Sequence, residues 1–242
     1  MLAEITQEEL SAALDRVADD ALAEAGIDGP PVDALTVAQR LGIAVAWDAD
    51  QSGRGRCARL RGHPGRALRP AILLRPDPRA EREHWAIAHE IGEHRAHRVF
   101  AALSVDPAEA PTGARETIAN RLAGRLLVPR GWVLRDVAEC GWDLAELKLR
   151  YASASHELIA RRMLEFPPPV IVTIFDHGRI TLRQSNVPGR TPPLSEAEHQ
   201  CWRQAHDSGQ PSRESGEMIE VRGWPIHEPD WQREILRTEL TE

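Results

Sequence analysis

Residues 83–97 (EHWAIAHEIGEHRAH) bring together side chains that can bind a metal ion. The alanines and charged residues of this stretch favour a helix, and no proline interrupts it. His89 and Glu93 are four residues apart, so both side chains lie on one helix face, one turn apart. His97 extends that row by a further turn, and Glu90 lies about 100° around the helix from His89. Imidazole and carboxylate groups in this arrangement are typical ligands of a divalent cation.

His-Glu pairs also occur elsewhere in this chain, and two of the three lack the features of a helical metal site. The pair that begins at His227 is followed by Pro229, which does not belong in the middle of a helix. The pair that begins at His156 has Ala160 one turn on, where no ligand is available. Only the pair that begins at His89 is followed by a further ligand at the right spacing.

A third ligand has to come from another element, because catalytic zinc sites use three protein ligands and leave a position for water. Glu116 is the best candidate, since it lies near the start of the next predicted helix, after a loop long enough for the chain to return. Asn120 follows one turn later on the same face. From there its amide can orient a metal ligand through a hydrogen bond.

Charge and composition narrow the classes of function. The net charge of −7 argues against direct binding to nucleic acid, although the predicted helices 143–151 and 156–164 resemble a helix–turn–helix in outline. No apolar run is long enough to span a membrane, and the acidic N-terminus is unlike a signal peptide. An odd number of widely spaced cysteines predicts reduced thiols. We therefore expect a cytoplasmic protein.

The order of predicted elements indicates an α+β fold. Capping boxes at Thr6 and Ser195 each predict the start of a helix. The other predicted elements are helices at 32–41, 113–127, 131–138, 143–151 and 156–164, strands at 43–47, 57–60, 71–74 and 218–221, and a hairpin of strands 170–175 and 179–182 about a turn at 176–178. Because the composition changes to a proline-rich connector after residue 184, we predict an N-terminal helix (1–30), a main domain (31–184) and a C-terminal extension packed on it (185–242).

The segments AHEIGEHRAH and RETIANRLAGRLLVP together resemble the ImmA/IrrE family of zinc metallopeptidases, which belong to the HExxH zincins. The matching positions are Ala88, His89, Glu90, Gly92, His97, Glu116, Ala119, Asn120, Ala123, Leu126, Leu127 and Pro129. The resemblance covers roughly residues 32–166. It implies a zincin-like metallopeptidase domain with a small mixed sheet, an active-site helix and a helical subdomain.

The resemblance also implies a function and roles for individual residues. His89, Glu93 and Glu116 would hold Zn²⁺, with Mn²⁺ or Fe²⁺ as further candidates. Glu90 would be the general base, while His97 and Asn120 would support the ligands. The implied activity is that of an endopeptidase, and the implied substrate is a regulatory protein such as a helix–turn–helix transcriptional repressor.

The chain departs from the family pattern at Glu93, which stands where the family has its second zinc-binding histidine. His94 is a rival ligand, but it reaches the same face only if the helix contains a one-residue bulge. We favour Glu93, because the spacing from His89 needs no distortion. Two carboxylate ligands neutralise a divalent ion and make it a weaker Lewis acid, which predicts slower peptidase activity. The alternative is therefore a weak or inactive peptidase-fold regulator that binds a protein partner.

Overall fold

The computed structural model describes residues 5–50, 55–60 and 69–241, with residues 57–60 described by their backbone. Within these ranges the chain forms eight α-helices and eight β-strands. It divides into two compact units, the first comprising Met1–Gly141 and Leu149–Ser155, the second Trp142–Lys148 and His156–Glu242. No helix of the described residues is long and apolar enough to cross a membrane.

The first unit combines helices with a small mixed sheet. Its elements are α1 (Gln7–Glu24), α2 (Ala34–Arg40), β1 (Ala44–Trp47), β2 (Gly55–Leu60), β3 (Arg69–Leu74), α3 (Ala80–Ala102), α4 (Ala114–Leu127) and α5 (Arg130–Cys140). The strand order is β1-β3-β2, with β1 parallel and β2 antiparallel to β3. The predicted α+β class with a small mixed sheet is thus confirmed.

Local sequence explains the helix ends. The capping box at the start of α1 is complete, because the Thr6 hydroxyl accepts from the Glu9 amide and the Glu9 carboxylate accepts from the Thr6 amide. Helix α3 is longer at both ends than the predicted 83–97. Glu81 and Glu83 lie in its first turn, where acidic side chains interact favourably with the helix dipole. It ends only before Ser104, whose φ of 54° is left-handed.

The second unit is built on a five-stranded sheet. Its elements are α6 (Leu144–Arg150, whose first residues belong here), α7 (His156–Met163), β4 (Val170–Asp176), β5 (Arg179–Ser185), α8 (Glu196–Ser208), β6 (Ser212–Gly216), β7 (Ile219–Glu228) and β8 (Trp231–Leu240). The strand order is β5-β4-β8-β7-β6, and every neighbouring pair is antiparallel. Helix α8 covers one face, where Phe175, Cys201, Val221 and Leu236 form a buried cluster.

The two units do not coincide with the predicted segments 1–30, 31–184 and 185–242. Helix α1 belongs to the first unit, and the boundary at residue 184 falls inside β5. Strand β4 precedes that boundary, yet it pairs with β8 near the end of the chain. Strands β6 and β8 were not among the predicted elements. Pairing between distant segments depends on the partner strand, so composition along the chain does not reveal it.

Candidate metal centre

Helices α3 and α4 approach each other closely at Gly92. A Cβ atom at this position would lie 2.6 Å from the carbonyl oxygen of Ala119, which is closer than such atoms can come. Glycine is therefore required where the two backbones meet. The same contact brings the His89 face of α3 opposite the first turn of α4, where Glu116 lies.

The close approach brings the three predicted ligands together. His89, Glu93 and Glu116 each offer one ligand atom, and the three atoms all lie within 4.8 Å of one another. The His89 Nε2 atom is 3.6 Å from the Glu116 Oε2 atom. Ligands of a tetrahedral zinc ion lie about 3.3–3.4 Å apart when each is about 2.0–2.1 Å from the metal. This pair therefore needs only a small adjustment to fit such an ion.

Asn120 contacts two of these three side chains. Its Oδ1 atom accepts a hydrogen bond from His89 Nδ1 at 3.1 Å, and its Nδ2 atom donates to Glu116 Oε1 at 3.1 Å. The first bond places the imidazole proton on Nδ1 and leaves the Nε2 lone pair free for a metal. The second fixes one carboxylate oxygen and leaves the other facing His89. The three ligands and the hydrogen bonds from Asn120 that orient two of them thus fit a zinc-type ion.

Arg115 holds Glu93 and was not among the residues predicted from sequence. Its Nε atom is 2.6 Å from Glu93 Oε2, and its Nη2 atom donates to the Glu93 carbonyl at 3.0 Å. One carboxylate oxygen is thus paired with a guanidinium while the other remains available. The only sequence signal was a basic residue directly before Glu116, which by itself does not reveal the contact.

Glu90 is buried, with 6% of its surface exposed, and lies against strand β2. A Cβ atom at Gly55 would be 3.0 Å from the Glu90 Oε1 atom, so the carboxylate lies directly against the strand backbone. Gly55 was also missed from the sequence, because a glycine within a strand has many structural explanations.

The structure does not bring His94 or His97 into the group of three ligands. The Nδ1 atom of His97 donates to the His94 carbonyl at 2.9 Å, and the His97 side chain is exposed. Helix α3 is a continuous α-helix throughout Ala80–Ala102, without the bulge that His94 would need. The geometry therefore favours Glu93, and the supporting role of His97 stays a prediction.

A helix that carries His89, Glu90 and Glu93, packed on a second helix that supplies Glu116, defines a zincin-like peptidase fold. The family model described as Peptidase_M78, IrrE N-terminal-like domain, matches residues 38–164, and the chain belongs to this family. The resemblance to ImmA/IrrE is thereby confirmed. The family is typically metal-dependent, which agrees with the donor set described above.

Among solved structures, a Mycobacterium tuberculosis transcriptional regulator is similar to this chain. The match has a TM-score of 0.64 and 18% sequence identity, and it covers 94% of this chain and 75% of that one. At this identity the likeness shows the fold alone. No curated protein matches the chain at a significant level.

Proposed function

We propose that this protein is a cytoplasmic zinc endopeptidase that cleaves a regulatory protein, such as a helix–turn–helix transcriptional repressor. The observation that carries the proposal is the convergence of His89, Glu93 and Glu116 within 4.8 Å, with Glu90 on the same helix. When bound, Zn²⁺ supplies Lewis acidity toward the scissile carbonyl and lowers the pKa of its water. Glu90 takes the proton of the attacking water and delivers it to the leaving amine nitrogen.

Arg115 offsets the charge that Glu93 introduces. A His-His-Glu set leaves one net positive charge on a divalent ion, whereas His89 with two carboxylates leaves none. The guanidinium paired with Glu93 at 2.6 Å returns one positive charge to the site. We infer that this pairing keeps the site electrophilic enough for peptide hydrolysis, which favours an enzyme over an inactive fold.

Strand β2 offers a place for the substrate backbone. Within the described residues it pairs with β3 alone and so forms one edge of the sheet. An extended peptide can add to such an edge through main-chain hydrogen bonds. Because Gly55 of this strand lies against Glu90, a peptide bound there passes close to the general base.

The second candidate function is that of a weak or inactive peptidase-fold regulator that binds a protein partner. It is favoured by the carboxylate of Glu93 in place of a histidine, and the similar mycobacterial protein is named a transcriptional regulator. The two candidates differ in one measurable respect. Hydrolysis requires metal and Glu90, whereas partner binding by an inactive fold is indifferent to a chelator.

The experiment is the substitution Glu90→Gln, which retains shape and removes the base. We expect unchanged zinc content by elemental analysis and a loss of roughly 10²–10⁴-fold in cleavage of a panel of purified helix–turn–helix repressors. Glu83→Gln makes the same change in the first turn of α3 and serves as the control with normal activity. Cleavage by Glu90→Gln at the wild-type rate would remove Glu90 from the mechanism. If the wild type contains no zinc, even after zinc is added back, the peptidase proposal is wrong and the regulator that binds a protein partner remains.

A further inference from the structure

The second unit contains another cluster of metal-binding side chains, centred on the carboxylate of Glu234. The His206 Nδ1 atom lies 2.9 Å from Glu234 Oε1, and the His227 Nε2 atom lies 2.7 Å from the same oxygen. One ligand atom from each residue falls within 4.8 Å of the other two. We propose that His206, His227 and Glu234 form a second metal site, which binds a divalent transition-metal ion of the zinc type.

The sheet and α8 position the three residues. Glu234 lies on β8, the middle strand of the five, and is paired with Pro225 of β7. Because side chains alternate along a strand, Pro225 and His227 share a face, which is also the face of Glu234. Helix α8 covers this face and contributes His206. The ligands therefore come from three packed elements and not from a mobile segment.

Charge makes the site suited to a cation. Glu234 is fully buried, and its ion pairs within the described residues are with the two imidazoles. When both imidazoles are neutral, the buried carboxylate has no opposite charge, which is costly in a protein interior. A divalent ion bound by all three side chains compensates that charge. The imidazoles then bind through the nitrogens that face Glu234, with their protons on the opposite ring nitrogens.

Trp202 orients the carboxylate. Its Nε1 atom donates to Glu234 Oε2 at 3.2 Å, which leaves Oε1 directed toward the histidines. The indole ring is itself fixed by stacking on Phe175, with ring centroids 5.0 Å apart. A hydrogen-bond donor that holds a ligating carboxylate is a regular feature of protein metal sites.

The three ligand atoms need only a small rearrangement to bind an ion. The present separations of 2.7 and 2.9 Å must widen to about 3.3 Å around a tetrahedral zinc ion, a movement of about half an ångström. The side chains of His206 and His227 are 30% and 25% exposed, so one side of the cluster borders solvent. The same exposure leaves the fourth coordination position accessible to solvent.

The donor set selects the class of ion. Two imidazoles and one carboxylate suit Zn²⁺, Co²⁺, Ni²⁺ and Cu²⁺, whereas Ca²⁺ and Mg²⁺ prefer sites built from oxygen alone. None of these three residues belongs to the centre at His89. The inference therefore does not depend on the proposed peptidase function.

The test uses the His89→Ala protein, in which the first centre lacks its histidine. Zn²⁺ is titrated calorimetrically into chelator-treated protein, and Co²⁺ is followed by its visible absorption. We expect one ion per chain and a tetrahedral Co²⁺ spectrum. Adding Glu234→Gln or His227→Gln weakens Zn²⁺ binding by more than about 100-fold, which exceeds the usual effect of residues outside the ligand shell. Trp202→Phe weakens it by about 10-fold.

His199→Gln is the matched control, because this histidine lies exposed on α8 outside the cluster. Its Zn²⁺ affinity stays at that of the His89→Ala parent. Circular dichroism establishes whether the Glu234→Gln variant is folded, since Glu234 is buried. If that variant is unfolded, the Zn²⁺ affinity of the His227→Gln variant alone tests the proposal. Failure of the His89→Ala protein to bind Zn²⁺, or equal binding by the His227→Gln and His199→Gln proteins, would overturn the proposal.

Discussion

The carboxylate of Glu93 changes the charge of the first centre while keeping its helical spacing. It lies on the same face of α3 as His89, and it is the member of the group that also carries an ion pair to an arginine. A neutral histidine in its place would not form the ion pair with Arg115, although the hydrogen bond from Arg115 to the backbone carbonyl of residue 93 does not depend on the side chain. At the scale of single residues, Glu93 and Arg115 therefore act as a pair, and each is to be tested separately.

We expect Glu93→Ala to lower the zinc content of the protein and His94→Ala to leave it near one ion at this centre. The reason is that a regular α-helix directs the side chain four residues after His89, and not the one five residues after it, toward Glu116. Elemental analysis of untagged protein, carried out with His227→Gln in both variants, measures this difference. Zinc loss with His94→Ala alone would mean a bulged helix and a more ordinary zincin centre.

Arg115→Gln is expected to change metal affinity and activity in opposite directions. Removal of the guanidinium relieves its repulsion of the metal, so we expect Zn²⁺ to bind about 5-fold more tightly, in keeping with about 1 kcal/mol for a partly exposed charge. The bound ion loses the compensating positive charge, so the rate of repressor cleavage falls. Calorimetric Zn²⁺ titration and cleavage kinetics measure the two effects. A fall in both would show that Arg115 only positions Glu93.

At the scale of elements, the first centre depends on the distance between α3 and α4. Its ligands lie on both helices, and Asn120 of α4 connects His89 of α3 with Glu116 of α4 by hydrogen bonds. Gly92 is the point where a larger side chain would push the helices apart. The geometry of the metal site therefore depends directly on how closely the two helices pack.

Gly92→Ala is expected to destabilise the protein by about 1–3 kcal/mol, as is usual for overpacked interiors, and to weaken Zn²⁺ binding. The added methyl group collides with the Ala119 carbonyl at 2.6 Å. Gly131→Ala is the control, since Gly131 lies in α5 with no other atom within 4 Å of an added Cβ. It should be neutral or stabilise by about 0.5–1 kcal/mol. Urea denaturation and Zn²⁺ titration compare the stability and the zinc affinity of the two variants. Equal values for Gly92→Ala and Gly131→Ala would contradict the conclusion that Gly92 allows the two helices to approach.

For the molecule as a whole, a buried ion pair links stability to pH. In the second unit, Arg183 forms a bidentate ion pair with buried Glu198, which also accepts hydrogen bonds from Thr238 and the Ser195 amide. Burial by itself raises the pKa of Glu198, but the bonds from Arg183, Ser195 and Thr238 outweigh it and lower the pKa below its ordinary value of 4.5. This pair therefore makes the stability of the second unit dependent on pH.

We expect Glu198→Gln to lower the free energy of unfolding by about 3 kcal/mol at pH 7, because it leaves Arg183 without its buried anion. A lowered pKa means that the wild type carries this stabilisation above pH 4.5 and loses it as the pH falls through the folded-state pKa. The difference between wild type and variant should therefore shrink in acid. Urea denaturation across this range measures it, with exposed Glu196→Gln as the control.

A pH-independent difference would contradict the assignment of the stabilisation to the Glu198 carboxylate. The control is expected to change stability by less than about 0.5 kcal/mol, because its ion pair with Arg203 lies at the surface.

Features that depend on neighbours along the chain could be predicted from the amino-acid sequence. The spacing of His89 and Glu93 follows from helical periodicity, the capping boxes at Thr6 and Ser195 are local hydrogen-bond patterns, and the β4–β5 hairpin follows from its turn. Glu116 could be predicted as a ligand because it lies on the next helix after α3 and belongs to the second motif of the family pattern, RETIANRLAGRLLVP. These features needed no knowledge of distant contacts.

Contacts between groups distant in sequence could be identified only from the folded chain. The contacts of Arg115 with Glu93 and of Gly55 with Glu90 depend on how helices and strands pack. In the cluster around Glu234, His206 and His227 are 28 and 7 positions away from the glutamate, and the three residues lie on a helix and two strands. A search for ligands spaced along a single helix does not detect such a cluster. Burial and charge compensation are properties of a three-dimensional surrounding, and for that reason they become visible only when the chain is folded.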